Sequence, residues 1–180
     1  MAPLDERLAM GREGIDGGSF KDMMAGVAAT VTVVTAFSDD DPLGITVTAF
    51  TSVSVDPPIV LWCIDKVAVS LEAMVAADGF TVNFLDDDSS DVAMTFATKG
   101  ADKFGDTGWS PPTVTGAGPV LTAAYGTFEC VTIDRIEMGD HWVIFGRVDA
   151  GGRRDTGRSP LLYLDRAFAK VQQQSPIQGE

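Results

Sequence analysis

The chain is a succession of short apolar runs, rich in β-branched residues, that are separated by glycine, proline and aspartate. The clearest runs span residues 31–37, 44–55, 59–64, 80–85, 125–136, 141–148 and 161–163. Runs of this composition are typical of β-strands, and the turn-forming residues between them predict hairpins. Because most connections are short and few helices intervene, the pattern favours an antiparallel barrel over a doubly wound sheet.

Two of these runs also indicate which residues are buried. Residues 44–55 alternate apolar and hydroxyl side chains, which predicts one continuous strand with an apolar buried face and an outer face that presents Thr46 and Thr48. Residues 59–64 are apolar without interruption, which predicts a fully buried strand.

Three short helices are expected between the strands. Residues 19–22 have the form of a capping box and are followed by apolar residues at helical spacing, which predicts a helix that begins at Ser19. A second apolar stripe covers residues 71–75. A third helix is expected to begin at Asp88 or Ser89, because both residue types are good N-caps. The proline- and glycine-rich residues 108–119 predict a long loop.

Length and composition are compatible with one domain and short tails. The chain has 180 residues, of which 45% are hydrophobic, which is enough for a well-filled core. Residues 1–18 are polar and glycine-rich without a sustained period, so we expect a flexible N-terminal tail. The domain is then expected over residues 19–170, with a C-terminal tail over residues 171–180.

The charge and the cysteines limit the compartments and partners that we expect. A net charge of −13 argues against binding to nucleic acid or to an anionic membrane, since both need basic surfaces. No apolar run is long enough to span a bilayer, and the N-terminus lacks the pattern of a signal peptide. Cys63 and Cys130 lie within strand-like runs and are expected to be free buried thiols. We therefore expect a cytoplasmic protein.

Motifs for metal and nucleotide binding are missing from the sequence. The single histidine, His141, excludes a histidine-rich metal site. The acidic runs 39–41 and 86–88 lack calcium-loop spacing and are expected to be solvated turns, so we predict no metal site. The sequence also contains neither a strand-linked Gly-x-Gly-x-x-Gly turn nor a Walker loop.

The order and spacing of four segments resemble the short-chain flavin reductase family, the reductase components of two-component flavin-dependent monooxygenases. The segments are VTVVT with PLGIT (31–35, 42–46), SVSVDPPIVL (52–61), FTVNFL (80–85) and GDH leading to FGRV (139–141, 145–148). The resemblance covers about residues 19–170. It implies a mainly β fold, the FMN-binding split β-barrel of antiparallel strands with a few short flanking helices.

The resemblance also implies a set of flavin-binding residues. They are Gly44, Ile45, Thr46, Thr48, Ala49, Cys63, Ile64, Asp65, Ser70, Thr98 and Lys99. Within this set, Thr46 and Thr48 are expected to donate from their side chains, and Ala49 to make a backbone contact. Ser70 is either a phosphate ligand or a helix cap, and the two roles can coexist. Thr98 and Lys99 either bind the flavin phosphate or simply end a helix.

The resemblance places His141 beside the nicotinamide, where it would orient NADH or help protonate reduced flavin. Tyr163 either completes that nicotinamide site or belongs to the core. The expected function is that of an NAD(P)H:flavin oxidoreductase of the EC 1.5.1 type that takes FMN or FAD and NADH or NADPH. It would work as a homodimer and supply reduced flavin to a partner monooxygenase.

Two alternatives stay open at the level of sequence. In the first, the flavin remains bound and passes electrons to another acceptor. In the second, the barrel is a non-enzymatic flavin-binding or flavin-sensing module. The second needs no nicotinamide pocket, so the GDH segment and Tyr163 argue against it.

Overall fold

A computed structural model describes residues 14–171. The three helices are α1 (Gly17–Ala25), α2 (Leu71–Ala76) and α3 (Ser90–Ala97). The strands of the first half are β1 (Ala29–Thr30), β2 (Thr32–Ser38), β3 (Asp41–Val47), β4 (Phe50–Val55), β5 (Pro58–Asp65) and β6 (Gly79–Leu85). Those of the second half are β7 (Trp109–Ser110), β8 (Val120–Leu121), β9 (Ala124–Met138), β10 (His141–Arg153), β11 (Leu162–Leu164) and β12 (Ala167–Ala169).

Seven of the strands form one antiparallel sheet in the order β3-β2-β6-β9-β10-β5-β4. Its two edge strands, β3 and β4, are consecutive in the chain and are joined by only Thr48 and Ala49. The three Cα–Cα steps from Val47 to Phe50 span at most about 11 Å, so the sheet must curl until its edges approach each other. Smaller sheets, β1-β11-β12 and β7-β8, flank it. The prediction of a mainly antiparallel β fold with a few short helices is confirmed.

The prediction of one continuous strand over residues 44–55 is wrong. The run divides into β3 and β4 at Thr48 and Ala49, both of which are exposed. The alternation of residues persists across the break, but β3 pairs with β2 whereas β4 pairs with β5. Tertiary pairing therefore places the two halves of one sequence pattern at opposite edges of the sheet.

The prediction that residues 59–64 are fully buried is also wrong. In β5 only Val60, Trp62 and Ile64 are buried, and the residues between them are half-buried. An antiparallel sheet that covers its core on one side requires only alternate residues to be apolar. The additional apolar side chains of β5 therefore face the outer side of the sheet.

The core consists of two apolar clusters. The larger lies within the curled sheet and includes Trp62 and Phe80, whose rings meet edge to face with centroids 5.7 Å apart. The smaller packs α3 against β2 and includes Phe96 and Leu161. These two clusters fix α3 beside β3, which builds one wall of the site described below.

The first helix begins earlier than predicted and buries none of its side chains. Its N-cap is Asp16, whose carboxylate accepts from the backbone N–H groups of Gly18 and Ser19, and Ser19 Oγ also donates to it. Because a carboxylate at this position satisfies two otherwise unpaired donors, the helix starts at Gly17. The apolar face of α1 is exposed. Residues 1–13 of the predicted tail, and residues 172–180, lie outside the described residues.

The acidic run 86–88 contains the expected turn at Asp87 and Asp88, but it is only partly solvated. Asp86 is buried and accepts from Ser89 Oγ at 2.8 Å, so Ser89 does not cap α3 through its side chain. Arg158 pairs with Asp86 and Asp88, and Lys170 pairs with Asp87 and Asp88. Two cations from the far end of the chain therefore partly neutralise the three carboxylates of the run, which a local sequence pattern does not reveal.

The predicted long loop 108–119 contains the short strand β7, and buried polar side chains hold the remainder against the sheet. Asn83 donates to Pro119 O and accepts from Leu121 N at 2.8 Å, and Thr81 Oγ1 donates to Gly118 O at 2.6 Å. The Glu129 carboxylate accepts from the backbone and hydroxyl of Thr113. Buried polar groups are stable when paired in this way, so the loop has a fixed path despite its composition.

Candidate functional site

An open cavity of about 700 Å³ lies between β3, the loop that follows β5, and the end of α3 with residues 98–104. Pockets of this size accommodate cofactors and drug-sized ligands. Six of the residues that the sequence predicted for flavin binding line it: Gly44, Ile45, Asp65, Ser70, Thr98 and Lys99. The fold thus brings together residues from three separate segments of the predicted set.

Gly44 forms part of the cavity wall, at a position where no larger residue fits. Gly44 is buried, and a Cβ atom at this position would overlap the ring of Phe96. The ring of Phe96 is in turn perpendicular to that of Phe104, with centroids 5.2 Å apart. The missing side chain therefore allows α3 and its aromatic residues to pack directly on the backbone of β3.

Lys103 also lines the cavity, and the sequence did not single it out as a site residue. Its Nζ donates to Gly44 O at 2.8 Å and to Phe96 O at 2.9 Å, so it links β3 to α3. Burial lowers the pKa of Lys103. No sequence signal predicts this position, because it depends on how a loop lysine meets a strand 59 residues earlier in the chain.

The hydroxyl groups of the predicted site differ in their availability. Thr46 Oγ1 donates to Ala93 O at 2.7 Å, and Thr98 Oγ1 donates to Met94 O at 2.8 Å. A hydroxyl has one proton to donate, so in this structure neither threonine is available as the donor that the sequence suggested. Ser70 precedes α2 without a side-chain capping bond, so the capping role considered for its hydroxyl is not used.

The rim of the cavity is apolar on the side of the loop after β5. Val67 and Val69 line it with 69% and 84% of their surfaces exposed. Two exposed apolar side chains at the rim of a cavity form a surface that suits an apolar ligand. Asp65, at the start of this loop, accepts from Val67 N at 2.9 Å and fixes the turn.

His141 lies next to this cavity, at the start of β10. It pairs in register with Asp65, a cavity residue on the neighbouring strand. His141 Nδ1 lies 2.8 Å from Asp140 Oδ1, and this hydrogen bond lowers the pKa of the Asp140 carboxyl. Because an ionised carboxylate only accepts, Nδ1 carries the proton and Nε2 is the nitrogen left for a ligand.

Lys66 holds the turn that carries His141. Its backbone N–H donates to Asp140 O at 3.0 Å, and its Nζ donates to Gly139 O at 2.6 Å and to the Glu137 carboxylate. Gly139 has a positive φ of 59°, which favours glycine in this tight turn. The loop that forms the cavity rim and the turn that carries His141 are therefore tied together.

The remaining predicted residues do not line the cavity. Thr48 and Ala49 join the sheet edges, and Ala49 O accepts from Cys63 N at 3.0 Å. The Ile64 side chain belongs to the core, so only its backbone is available to a ligand. Tyr163 is in β11 and packs edge to face on Phe168. Their roles in binding stay predictions.

Two further observations concern cysteines and metals. Cys63 is half-buried and Cys130 is buried, and both are free. Among residues 14–171, no group of three or more histidine, cysteine, aspartate or glutamate residues has the arrangement needed for a metal ion. Over the same residues, no helix is both long enough and apolar enough to cross a membrane.

Comparison with known proteins identifies the family. Residues 24–172 match the family described as Flavin reductase like domain. The chain belongs to this family. This flavin reductase-like chain is 35% identical over 158 residues to the flavin reductase (NADH) of Kitasatospora aureofaciens, an alignment that covers 87% of this chain and 82% of that protein.

Two further similarities are informative. The chain is 32% identical over 136 residues to the flavin-dependent monooxygenase reductase subunit HsaB of Mycobacterium tuberculosis, covering 76% of this chain and 72% of that protein. Among solved structures, it is similar to the NADH:FAD oxidoreductase SgcE6 of Streptomyces globisporus C-1027, with a TM-score of 0.81 and 29% identity. That match covers 92% of this chain and 100% of the other.

The cavity of this flavin reductase-like chain fits a flavin by its own chemistry. Val67 and Val69 offer an apolar surface for the ring system, and the Ser70 hydroxyl has no capping bond. Lys103 has three N–H donors, of which two are bonded to carbonyl groups. An apolar wall with a few convergent polar groups is the usual form of a cofactor site.

Proposed function

We propose that this chain is an NAD(P)H:flavin oxidoreductase that reduces FMN or FAD by hydride transfer from NADH or NADPH. The observation that carries the proposal is the position of His141, one strand away from a cavity with the size and lining of a flavin site. A flavin sensor would need the cavity but not the neighbouring histidine.

The protein takes no covalent part in the reaction, because the hydride donor is the nicotinamide and the hydride acceptor is the flavin. The chain must bind the flavin and bring the nicotinamide close to its ring. Apolar rim residues suit the first task, and the turn held by Lys66 suits the second. Neutral His141 Nε2 would accept a hydrogen bond from the nicotinamide carboxamide N–H, while the protonated ring would donate one instead.

Steady-state absorbance at 340 nm tests the reductase proposal. Purified protein is mixed with each pairing of NADH or NADPH with FMN or FAD. We expect loss of reduced nicotinamide only when flavin is present. If no pairing shows flavin-dependent oxidation of the reduced nicotinamide, the proposal is wrong, and the result favours the alternative of a non-enzymatic flavin-binding or flavin-sensing module. The relative rates also give the flavin and nicotinamide preferences.

The substitution His141→Ala tests the role of the histidine. We expect a raised KM for NADH, by about tenfold for one lost hydrogen bond of about 1.4 kcal/mol, with flavin affinity unchanged. Because His141 is the only histidine, its imidazole ¹⁵N signals are assignable without ambiguity. They should report a proton on Nδ1, where the ring donates to Asp140. If the KM for NADH is unchanged in the variant, His141 does not contact the nicotinamide.

We further propose that the reduced flavin passes to a partner monooxygenase in the cytoplasm and that the chain acts as a homodimer. The similarity to a monooxygenase reductase subunit supports the first part. Two free cysteines suit a reducing compartment. The apolar face of α1 supports the second part, because Phe20, Met23 and Met24 are about half exposed or more. A second copy would cover this surface.

A further inference from the structure

We propose that a second cavity of this chain binds a phosphate group through Arg153 and Arg154. This arginine cavity is open, has a volume of about 390 Å³ and lies between β7, β8, the start of β9 and the end of β10. It shares no lining residue with the candidate flavin cavity between β3 and α3. The inference therefore concerns a separate site and does not rest on the proposed reductase function.

The lining of the arginine cavity is positively charged, although the chain carries a net charge of −13. Among the described residues, no aspartate or glutamate lines it, whereas three aspartates line the flavin cavity. The neighbouring arginines in the chain, Arg147 and Arg158, pair with carboxylates. Within residues 14–171, Arg153 and Arg154 form no such pair. Two adjacent positive charges without a counter-charge favour the binding of an anion.

Arg154 is held in position by the protein itself. Its Nη2 donates to Thr122 O at 2.7 Å and to Ala124 O, and its backbone N–H donates to Tyr125 O at 2.7 Å. A guanidinium has five N–H donors, of which Nη2 supplies two. The three donors on Nε and Nη1 are therefore left for an anion. Because the side chain is already ordered, binding costs little side-chain entropy.

Arg153 brings a second guanidinium to the same cavity. Its Cζ lies 5.6 Å from the centroid of the Tyr125 ring, a distance at which an aromatic face attracts a cation. Ser110 and Thr127 also line the cavity and add hydroxyl groups to it. Charged and neutral donors from β7, β9 and β10 therefore converge on one space.

This set of donors suits a phosphate better than a carboxylate. A phosphate monoester carries about −1.5 to −2 charges at pH 7 and three acceptor oxygens, which matches two guanidinium groups. A carboxylate carries one charge and two oxygens. Arginine is also well suited to phosphate, because its planar fork of donors contacts several oxygens at once. Inorganic phosphate and a mononucleotide both supply this group, and only a nucleotide base would contact the Tyr125 ring.

Calorimetric titration with inorganic phosphate and with AMP tests the inference. The wild type is compared with Arg153→Met, Arg154→Met and the matched control Arg147→Met. We expect each of the first two substitutions to raise the Kd for both ligands at least tenfold, because hydrogen bonds to a charged group are lost. Arg147→Met, which removes a paired and exposed arginine of β10, should change the Kd less than twofold. Arg154→Lys, which keeps the charge, should recover part of the affinity.

The substitutions Lys99→Met and Lys103→Met show whether the phosphate binds in the flavin cavity instead, because they remove the cations that line it. We expect both to leave the Kd for inorganic phosphate unchanged. The fold of each variant is checked by urea denaturation. Arg153 is the safer position, since within residues 14–171 its side chain stacks on Tyr125 but donates no hydrogen bond.

Two outcomes would support the site and identify the source of its phosphate. Tighter binding of AMP than of inorganic phosphate, with the gain lost in Tyr125→Leu, would indicate a nucleotide, and equal Kd values would indicate phosphate itself. Three outcomes would overturn the inference. They are the absence of binding to the wild type, unchanged Kd values in both Arg153→Met and Arg154→Met, and a loss of binding confined to the two lysine variants. None of these measurements depends on reductase activity.

Discussion

At the scale of single residues, Gly44 decides the shape of the candidate site. Its missing side chain lets the ring of Phe96 reach the backbone of β3, where a Cβ atom would overlap it. Gly44 O also accepts from Lys103. The same residue thus controls the aromatic packing behind the cavity and the position of its half-buried cation.

The substitution Gly44→Ala should therefore damage both stability and binding. Overpacking of a well-filled site costs about 1–3 kcal/mol, and we expect a loss of this size together with weaker flavin binding. Urea denaturation and flavin fluorescence measure the two effects. Gly152→Ala is the matched control, because a Cβ there meets nothing within 4 Å. Equal effects of the two substitutions would contradict this account.

Cys130 gives a second prediction, which concerns alkaline pH. Burial, with the nearby charges of Asp149 and Glu129, raises the pKa of this thiol to about 12. Above about pH 8.5, the ordinary pKa of a thiol, the unfolded chain releases a proton that the folded chain retains. Stability must therefore fall as the pH rises from about 8.5 towards 12.

The contribution of Cys130 to that fall is at most about 1.4 kcal/mol per pH unit. Urea denaturation between pH 8 and 10 should show that the free energy of unfolding falls more steeply with pH for the wild type than for Cys130→Ala. The comparison uses the slopes, so a difference in stability between the two proteins at neutral pH does not affect it. Parallel curves would show that the thiol does not remain protonated in the folded state.

At the scale of secondary-structure elements, the hairpin between β9 and β10 depends on a residue from another loop. Lys66 bonds to the backbone of this turn and to Glu137, and it follows directly after Asp65 of β5. It therefore sets the position of His141 relative to the cavity rim. The sequence indicates the turn and its histidine, but no local pattern connects Lys66 to them.

The substitution Lys66→Met should change catalysis more than stability. The pair with Glu137 is partly exposed, and such pairs contribute about 0–1 kcal/mol to folding. We expect the KM for NADH to rise severalfold and the ¹⁵N signals of His141 to shift. Arg147→Met, which removes an exposed pair with Asp149 on the same strand, should leave both unchanged. A stability loss without a change in KM would make Lys66 a structural residue.

At the scale of the whole molecule, the curled sheet leaves α1 outside both core clusters. The helix buries no residue, yet its face carries Phe20, Met23 and Met24. An apolar helix face of this kind would be covered if two copies associate through it.

The substitution Met23→Glu should therefore dissociate the homodimer that we propose. Sedimentation or light scattering gives the molar mass. We expect the mass of two chains for the wild type and of one chain for the variant. Met94→Glu is the control, because Met94 is similarly exposed on another helix. A wild-type monomer would exclude the dimer, and a dimeric variant would exclude α1 from its interface.

The amino-acid sequence by itself determined most of the elements, the fold class and the family of this flavin reductase-like chain. Strand periodicity and turn residues are local properties, so most strands were predicted, as were the helix near residue 71 and the turn before His141. The ordered motifs pointed to the family, which comparison confirmed. The same local pattern could not reveal that residues 44–55 divide between two sheet edges.

Only the tertiary structure decided which side chains form the site and which are already bonded. In the folded chain, only alternate residues of the apolar strand β5 are buried, and Asp86 pairs with the distant Arg158. The Thr46 hydroxyl donates to Ala93 O in α3. The fold also places Lys103 against Gly44. The physical reason is the same in each case. A hydrogen bond or ion pair depends on which distant segments meet, whereas periodicity reports only the immediate neighbours of a residue along the chain.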